Sequence, residues 1–220
     1  SQYPLAAYWQ YPFFGTAFTA NYVYGARRFP YSTDNGVNPL TWADADATTF
    51  DLSGGFIPSV VPLHPRDFVY EVHSFGEIWA TTLWEMRSRI IAANGGNVPV
   101  GNEATMQLVL DAIKLSPIDP SFTEGRDAIL DADCAANACA NEDSIWGAFA
   151  ERGLGYKAQA SDGAAIQIGV KESFALPSLD VGTVSIDDSA GNNNGRIDPG
   201  ETISVTVGLF NPWRSAALAS

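Results

Sequence analysis

The chain has 220 residues, with 25 acidic and 12 basic side chains, a formal net charge of −13, two cysteines and two histidines. Its length allows one large domain or two small ones, and 46% hydrophobic with 12% aromatic residues excludes a disordered acidic tail. The acidic balance argues against partners such as nucleic acid or an anionic membrane surface, and no apolar run approaches the roughly 20 residues of a membrane span.

Residues 1–66 are rich in aromatic residues, proline and glycine and show little periodicity. This composition is typical of an irregular core segment, or of a segment that packs against something larger. Within it, Pro30 followed by Asp34, Asn35 and Gly36 predicts a turn. The N-terminus has neither an initiator methionine nor the pattern of a signal peptide, and the C-terminus has no terminating feature. We therefore expect the sequence to be cut at both ends.

The middle of the chain, about residues 67–155, is predicted to be helical. A long amphipathic helix that ends at Gly95-Gly96 is predicted by apolar residues at spacings of three and four, namely Val72, Phe75, Trp79, Leu83, Met86 and Ile90. A second helix is predicted to begin near Asn102, with an apolar stripe formed by Met106, Leu110 and Ile113.

Two further helices are predicted from the residues at their termini. Ser121 and Glu124 have the spacing of a capping box, which predicts a third helix running toward Asp133. A fourth helix is predicted to start at Asn141 and to stop at Gly153. Its apolar face is formed by Ile145, Trp146 and Phe149.

After about residue 160 the pattern becomes that of strands. Residues 165–170 and 202–209 alternate apolar and polar side chains. We assign 161–177 to a linker or strand and 178–220 to the beginning of an Ig-like β-module, since about 43 residues are too few for a complete sandwich of about 100. The predicted fold is therefore mainly α over residues 1–160, followed by a few strands of an incomplete β-sandwich.

An Asp/Asn/Gly-rich loop between the C-terminal strands has a composition typical of calcium sites. With Gly195 at position 6 of an EF-hand-like loop, position 1 is Ala190, so a key ligand is missing. A plain turn rich in residues that tolerate a left-handed backbone is the alternative. The candidate calcium ligands are Asp188, Asn192, Asn194, Asp198 and Glu201.

The two histidines exclude a metal site that needs three imidazoles from this chain. His64 lies between prolines and is expected to be a solvated loop residue. His73 precedes Glu77 by one helical turn, and three roles are open to it. It can be a buried core histidine, a metal ligand together with Glu77, or a hydrogen-bond donor to a developing oxyanion in a cleft.

Blocks of sequence that are collinear across residues 22–157 resemble the fungalysin metallopeptidases, which are secreted zinc endopeptidases of the thermolysin type. The blocks are 25–34 (GARRFPYSTD), 37–42 (VNPLTW), 71–80 (EVHSFGEIWA), 108–115 (LVLDAIKL) with Pro117, 126–130 (RDAIL), 145–146 (IW), 149–150 (FA) and 152–155 (RGLG). The resemblance implies that residues 1–160 correspond to the helical C-terminal lobe of such an enzyme. Separately, 198–201 (DPGE) with 203–207 (ISVTV) looks like the start of the Ig-like modules appended to bacterial secreted proteins.

The resemblance also implies residue roles. In that family an H-E-x-x-H helix and a later glutamate bind zinc, and this sequence contains no H-E-x-x-H. We therefore expect zinc in the complete enzyme, with no zinc ligand in this chain. His73 matches the histidine that stabilises the tetrahedral oxyanion, and Arg27 matches the arginine that binds a substrate carbonyl, although Arg28 stays open. Asp67 is the nearest upstream carboxylate that could orient His73.

Cys134 and Cys139 lack the partners of a zinc ribbon and do not form a C-x-x-C redox motif. In the secreted context that the resemblance implies, a local disulfide between them is favoured.

Two functions follow as hypotheses. The first is the C-terminal portion of a secreted or periplasmic zinc endopeptidase that acts on peptides, is completed by an upstream zinc-binding lobe, and is inactive alone. The second is a non-catalytic extracellular subunit of a larger assembly, derived from such a peptidase.

Overall fold

The computed structural model describes residues 2–5, 12–13, 16–17, 27, 29–45, 72–160 and 170–215. The predictions about His64, Asp67 and, except for its last residue, the strand at 165–170 lie outside these residues. The chain divides into two compact units, residues 1–176 and 177–220.

In the described part of the first unit, α-helices predominate. They are α1 (Val72–Ala93), α2 (Val98–Leu115), α3 (Phe122–Asn137) and α4 (Glu142–Glu151). Helix α1 packs against α2 and α4, and α3 also packs against both of these helices. This confirms the mainly α fold class. None of the described helices is long and apolar enough to cross a membrane.

Short strands precede the helices. They are β1 (Gln2–Tyr3), β2 (Pro12–Phe13), β3 (Thr16–Ala17) and β4 (Tyr31–Ser32), and a 3₁₀ turn follows at Trp42–Ala45. Strand β1 pairs antiparallel with β4, and β2 with β3. Strand β4 and the 3₁₀ turn both contact α1, so these two parts of the N-terminal segment lie on this helix.

Three helix ends agree with their predictions because they depend on local chemistry. The capping box of α3 is formed by Ser121 and Glu124, and Asn141 is the N-cap residue of α4. After α1 the chain turns through Gly95 and Gly96, which have left-handed φ angles of 67° and 80°.

The predictions for α2 were wrong in two respects. The helix begins at Val98 because Asn97 caps it, accepting a hydrogen bond from the backbone of Val100. The predicted stripe is also not in the core, because its members are 56–65% exposed. They are Met106, Leu110 and Ile113. The face that α2 buries consists of Gly101, Thr105, Leu108 and Ala112, whose small members allow close packing on α1.

Gly101 provides a test of this close packing. A Cβ atom at Gly101 would lie 2.7 Å from Cα of Ile91 in α1, so Gly101→Ala is expected to lower the free energy of unfolding by about 1–3 kcal/mol in urea denaturation. Gly147→Ala in α4 is the control, since its Cβ would meet the flexible guanidinium of Arg89, and we expect a change within about 0.5 kcal/mol. Equal effects would contradict the described α1–α2 contact.

The second unit contains an antiparallel pair formed by β5 (Asp180–Asp187) and β6 (Ser204–Phe210). Strand β6 agrees with the predicted strand at 202–209, whereas β5 was missed. The reason is a register shift between Val181 and Val184, which interrupts the alternation of apolar residues. The indole of Trp213 donates a hydrogen bond to the carbonyl of Pro177 at 2.9 Å.

Candidate substrate-binding site

The two residues predicted to bind the substrate are His73 and Arg27. His73 lies in the first turn of α1, and its side chain is outside the described part of the structure. Arg27 is described and partly buried, two residues before Phe29. Arg28 lies outside the described residues. The roles of both predicted residues therefore stay predictions, and the structure shows how the backbone around them is held.

Glu77 connects these two regions of the chain. It lies in α1 one turn after His73, its side chain is fully buried, and its Oε1 atom accepts a hydrogen bond from the backbone N–H of Phe29 at 2.8 Å. The described residues contain no group of three or more His, Cys, Asp or Glu that could hold a metal ion. The side chain of His73 is not among the described residues, so metal binding by His73 with Glu77 stays a prediction. The described bond of Glu77 holds the main chain near Arg27.

The segment that follows forms the predicted turn. The backbone N–H groups of Val37 and Asn38 donate to the carbonyl oxygen of Asp34 at 2.9 and 3.0 Å. The Asp34 carboxylate accepts from the backbone of Gly36 at 2.8 Å. These bonds fold residues 34–38 into a compact turn that returns the chain toward α1. We call residues 29–40 the anchored segment.

Asn38 attaches the anchored segment to α1 at a second point. Its buried amide nitrogen donates to the carbonyl of Pro30 at 3.0 Å and to the hydroxyl of Thr81 at 3.1 Å, and its amide oxygen accepts from the backbone of Leu40. Thr81 lies one turn after Glu77. Successive turns of the same helix therefore hold both ends of the segment.

Arg152 holds the anchored segment from the other side. Its side chain is fully buried and lies just after α4. It donates to the carbonyl oxygens of Ser32 at 2.6 Å, Asn38 at 2.6 Å and Leu40 at 3.2 Å. Burial lowers the pKa of its guanidinium below the ordinary value, and the negative charges of Glu85 and Glu151 offset part of this shift. Sequence reasoning did not assign a role to this arginine, although it lies within the RGLG block.

Aromatic side chains pack beneath the end of this segment. The fully buried Trp42 donates from its indole to the carbonyl of Gln159 at 2.9 Å, and its backbone N–H donates to the carbonyl of Arg152 at 2.9 Å. Its ring stacks on Phe122 with centroids 4.8 Å apart, and Phe122 contacts Trp79 of α1 at 5.1 Å. This cluster fixes the 3₁₀ turn against α1 and α3.

The predicted disulfide is present between Cys134 and Cys139. It closes the loop after α3. The buried carboxylate of Asp133 also holds this loop, since it accepts from the backbone and side chain of Asn141 at 2.8 and 2.7 Å and from Asn137 at 3.1 Å.

The loop between β5 and β6 is held by hydrogen bonds among its own residues. Glu201 accepts from the backbone of Asn192 and Asp198, and Asp198 accepts from the amides of Asn192 and Asn194. These two amides lower the pKa of the Asp198 carboxyl. Asp188 accepts from the backbone of Gly195. The described part of the chain offers no cluster of metal-binding side chains, so a calcium site in this loop is not supported.

Comparison with known proteins defines the class of this chain. Residues 9–158 match the family model of the fungalysin metallopeptidases (M36). The chain belongs to this family, which confirms the resemblance seen in the sequence blocks.

Individual relatives are fungal extracellular enzymes by name. The chain is 36% identical over 172 residues to extracellular metalloproteinase mep of Aspergillus terreus, covering 73% of this chain and 23% of that protein. It is 37% identical over 153 residues to extracellular metalloproteinase MEP of Neosartorya fischeri, covering 64% and 21%. Extracellular metalloproteinase 10 of Coccidioides posadasii is 36% identical over 151 residues, covering 64% and 21%. The chain thus spans about a fifth of the length of the curated relatives it matches.

Proposed function

We propose that this chain is the C-terminal portion of a secreted zinc-dependent endopeptidase and supplies residues that bind the peptide substrate and stabilise the oxyanion. The observation that carries the proposal is the match of residues 9–158 to the fungalysin family. The names of the fungal relatives support an extracellular location. The hydrogen-bonded attachment of the anchored segment to α1 supports a shared site for Arg27 and His73.

The zinc site of the family does not fit the residues present. The described residues offer no metal-binding group, and the sequence has no H-E-x-x-H motif. When bound elsewhere in the complete enzyme, zinc would lower the pKa of the water that attacks the peptide bond. The part assigned to this chain is to hold the substrate. Arg27 donates to a substrate carbonyl, and His73 donates to the oxygen that becomes negative during attack.

A non-catalytic extracellular subunit is the second candidate. The exposed apolar stripe of α2, formed by Met106, Leu110 and Ile113, favours it, because such a stripe is a suitable surface for another chain.

The two candidates differ in zinc content and activity. We expect the 220-residue chain expressed alone to bind no stoichiometric zinc and to hydrolyse no peptide. The complete polypeptide should contain one zinc and be active. Metal analysis and a quenched-fluorescence peptide assay measure both. Material from the natural source that has the mass of this chain, lacks zinc and co-purifies with other proteins would favour the subunit. Hydrolysis by the chain alone would contradict the proposed division of the site.

A further inference from the structure

We propose that Glu77 is a positioning residue for peptide hydrolysis, whose buried carboxylate fixes the backbone beside Arg27 to α1, one helical turn from His73. The inference rests on the proposed function of Arg27 and His73 and adds a residue to it. Glu77 does not need to touch substrate. It acts by setting the distance between two groups that do.

The hydrogen bond between Glu77 and the backbone of Phe29 is suited to fixing the main chain on α1. The backbone N–H of Phe29 donates to Oε1 of Glu77 at 2.8 Å, and the Glu77 side chain is fully buried. A carboxylate is a stronger acceptor than a neutral group, and screening by water is small where it is buried. Because the donor is main chain, the bond constrains the path of the backbone whatever side chain residue 29 carries.

Among the described bonds that hold the anchored segment, the bond of Glu77 to Phe29 is the nearest in sequence to Arg27. The contacts of Asn38 with Thr81 and of Arg152 with Ser32, Asn38 and Leu40 hold later parts of the segment. Phe29 is two positions after Arg27 in the chain, which limits the distance between their Cα atoms to about 7 Å. Displacing Phe29 would therefore shift Arg27 relative to α1, and a misplacement of about 1 Å in a binding group can cost about 100-fold in rate.

Glu85 lies two turns further along α1 than Glu77 and pairs with Arg89 at 3.0 Å. Glu85 is almost as buried, with 7% of its surface exposed, but its described hydrogen bond and ion pair are with Arg89 and not with the anchored segment. It therefore offers a matched control on the same helix.

The experiment uses the complete zinc-bearing polypeptide with Glu77→Ala, Glu77→Gln and Glu85→Gln. We expect Glu77→Ala to lower kcat/KM for a peptide substrate at least about 10-fold. Glu77→Gln should recover part of this loss, because an amide oxygen still accepts the bond. Glu85→Gln should stay within about 2-fold of the parent. If Glu77→Ala does not fold, Glu77→Gln alone is compared with Glu85→Gln.

Two readouts separate positioning from general stability. Amide hydrogen exchange of the peptide containing Phe29 should be faster in the Glu77 variants than in Glu85→Gln at equal melting temperature. The effect of Glu77→Ala should also be largely absent in an Arg27→Ala background, since residues acting through one contact are not additive. Additive effects, or unchanged exchange at Phe29, would overturn the inference.

Failure of the proposed function would look different. If Arg27→Ala and His73→Ala both left hydrolysis unchanged, the assigned roles themselves would be wrong. If Arg27→Ala impaired hydrolysis while both Glu77 variants matched Glu85→Gln, only the positioning role would be wrong.

Discussion

Replacing His73 by alanine in the complete polypeptide is expected to lower kcat for peptide hydrolysis about 10²–10³-fold, the usual cost of removing one oxyanion donor. KM should change little, because the oxygen carries its full negative charge only near the transition state. The backbone of His73 belongs to the first turn of α1, and the bonds of Glu77 and Thr81 attach the anchored segment to the next two turns. Steady-state kinetics with a fluorogenic peptide gives both constants.

His64→Ala is the control for this experiment, since it removes the other histidine of the chain from a stretch flanked by prolines. We expect its kcat to remain within about 2-fold of the parent, because His64 is predicted to be a solvated loop residue and such a side chain makes no contact that strengthens in the transition state. Zinc content should equal that of the parent in both variants. A kcat for His73→Ala equal to that of His64→Ala would rule out the oxyanion role.

The parts of the fold that could be predicted are those set by neighbours in sequence. The capping box of Ser121 and Glu124 joins residues three apart, so its signal is complete within one turn. The signal for the turn that follows α1 at Gly95 is similarly local, because a left-handed backbone favours glycine. The Glu85–Arg89 pair follows from i,i+4 spacing.

The buried face of α2 could not be predicted because the most hydrophobic face of this helix is not the face that packs in the core. Its most apolar stripe is exposed, and its buried face contains Gly101, Thr105 and Ala112. What decides the orientation is the close approach of Gly101 to Ile91, a contact between two helices that periodicity within one helix does not reveal.

The candidate site likewise has a part that the sequence could indicate and a part that it could not. Arg27 and His73 were found by resemblance, since their sequence blocks match a known family. The network that holds the anchored segment was missed because it links distant residues through main-chain atoms. Arg152 and Ser32 are 120 residues apart in sequence, and a carbonyl oxygen has no residue-type signature. The presence of an arginine within a matched block is the sequence signal that could have indicated it.

Arg152→Met is expected to lower the free energy of unfolding of the first unit by about 3–5 kcal/mol. Methionine fills much of the volume but donates no hydrogen bond, so the carbonyls of Ser32, Asn38 and Leu40 lose a charged donor in a buried site. Each such bond contributes about 1.5–3 kcal/mol, and the losses overlap because they share one guanidinium. Urea denaturation followed by tryptophan fluorescence measures the change, and we expect the melting temperature to fall by roughly 10 °C.

Arg89→Met is the matched control, because the same chemical change is made at an arginine whose side chain is 39% exposed and paired with Glu85 and Glu151. Its cost should be about 1–2 kcal/mol, because it removes the described hydrogen-bond donor of the nearly buried Glu85 carboxylate. Arg152→Lys tests the geometry, since an ammonium keeps the charge but cannot place two nitrogens on separate carbonyls. We expect it to recover less than half of the lost stability. If Arg152→Met cost no more than Arg89→Met, the anchored segment would not depend on this guanidinium, and its attachment would have to be assigned to Glu77 and Asn38 alone.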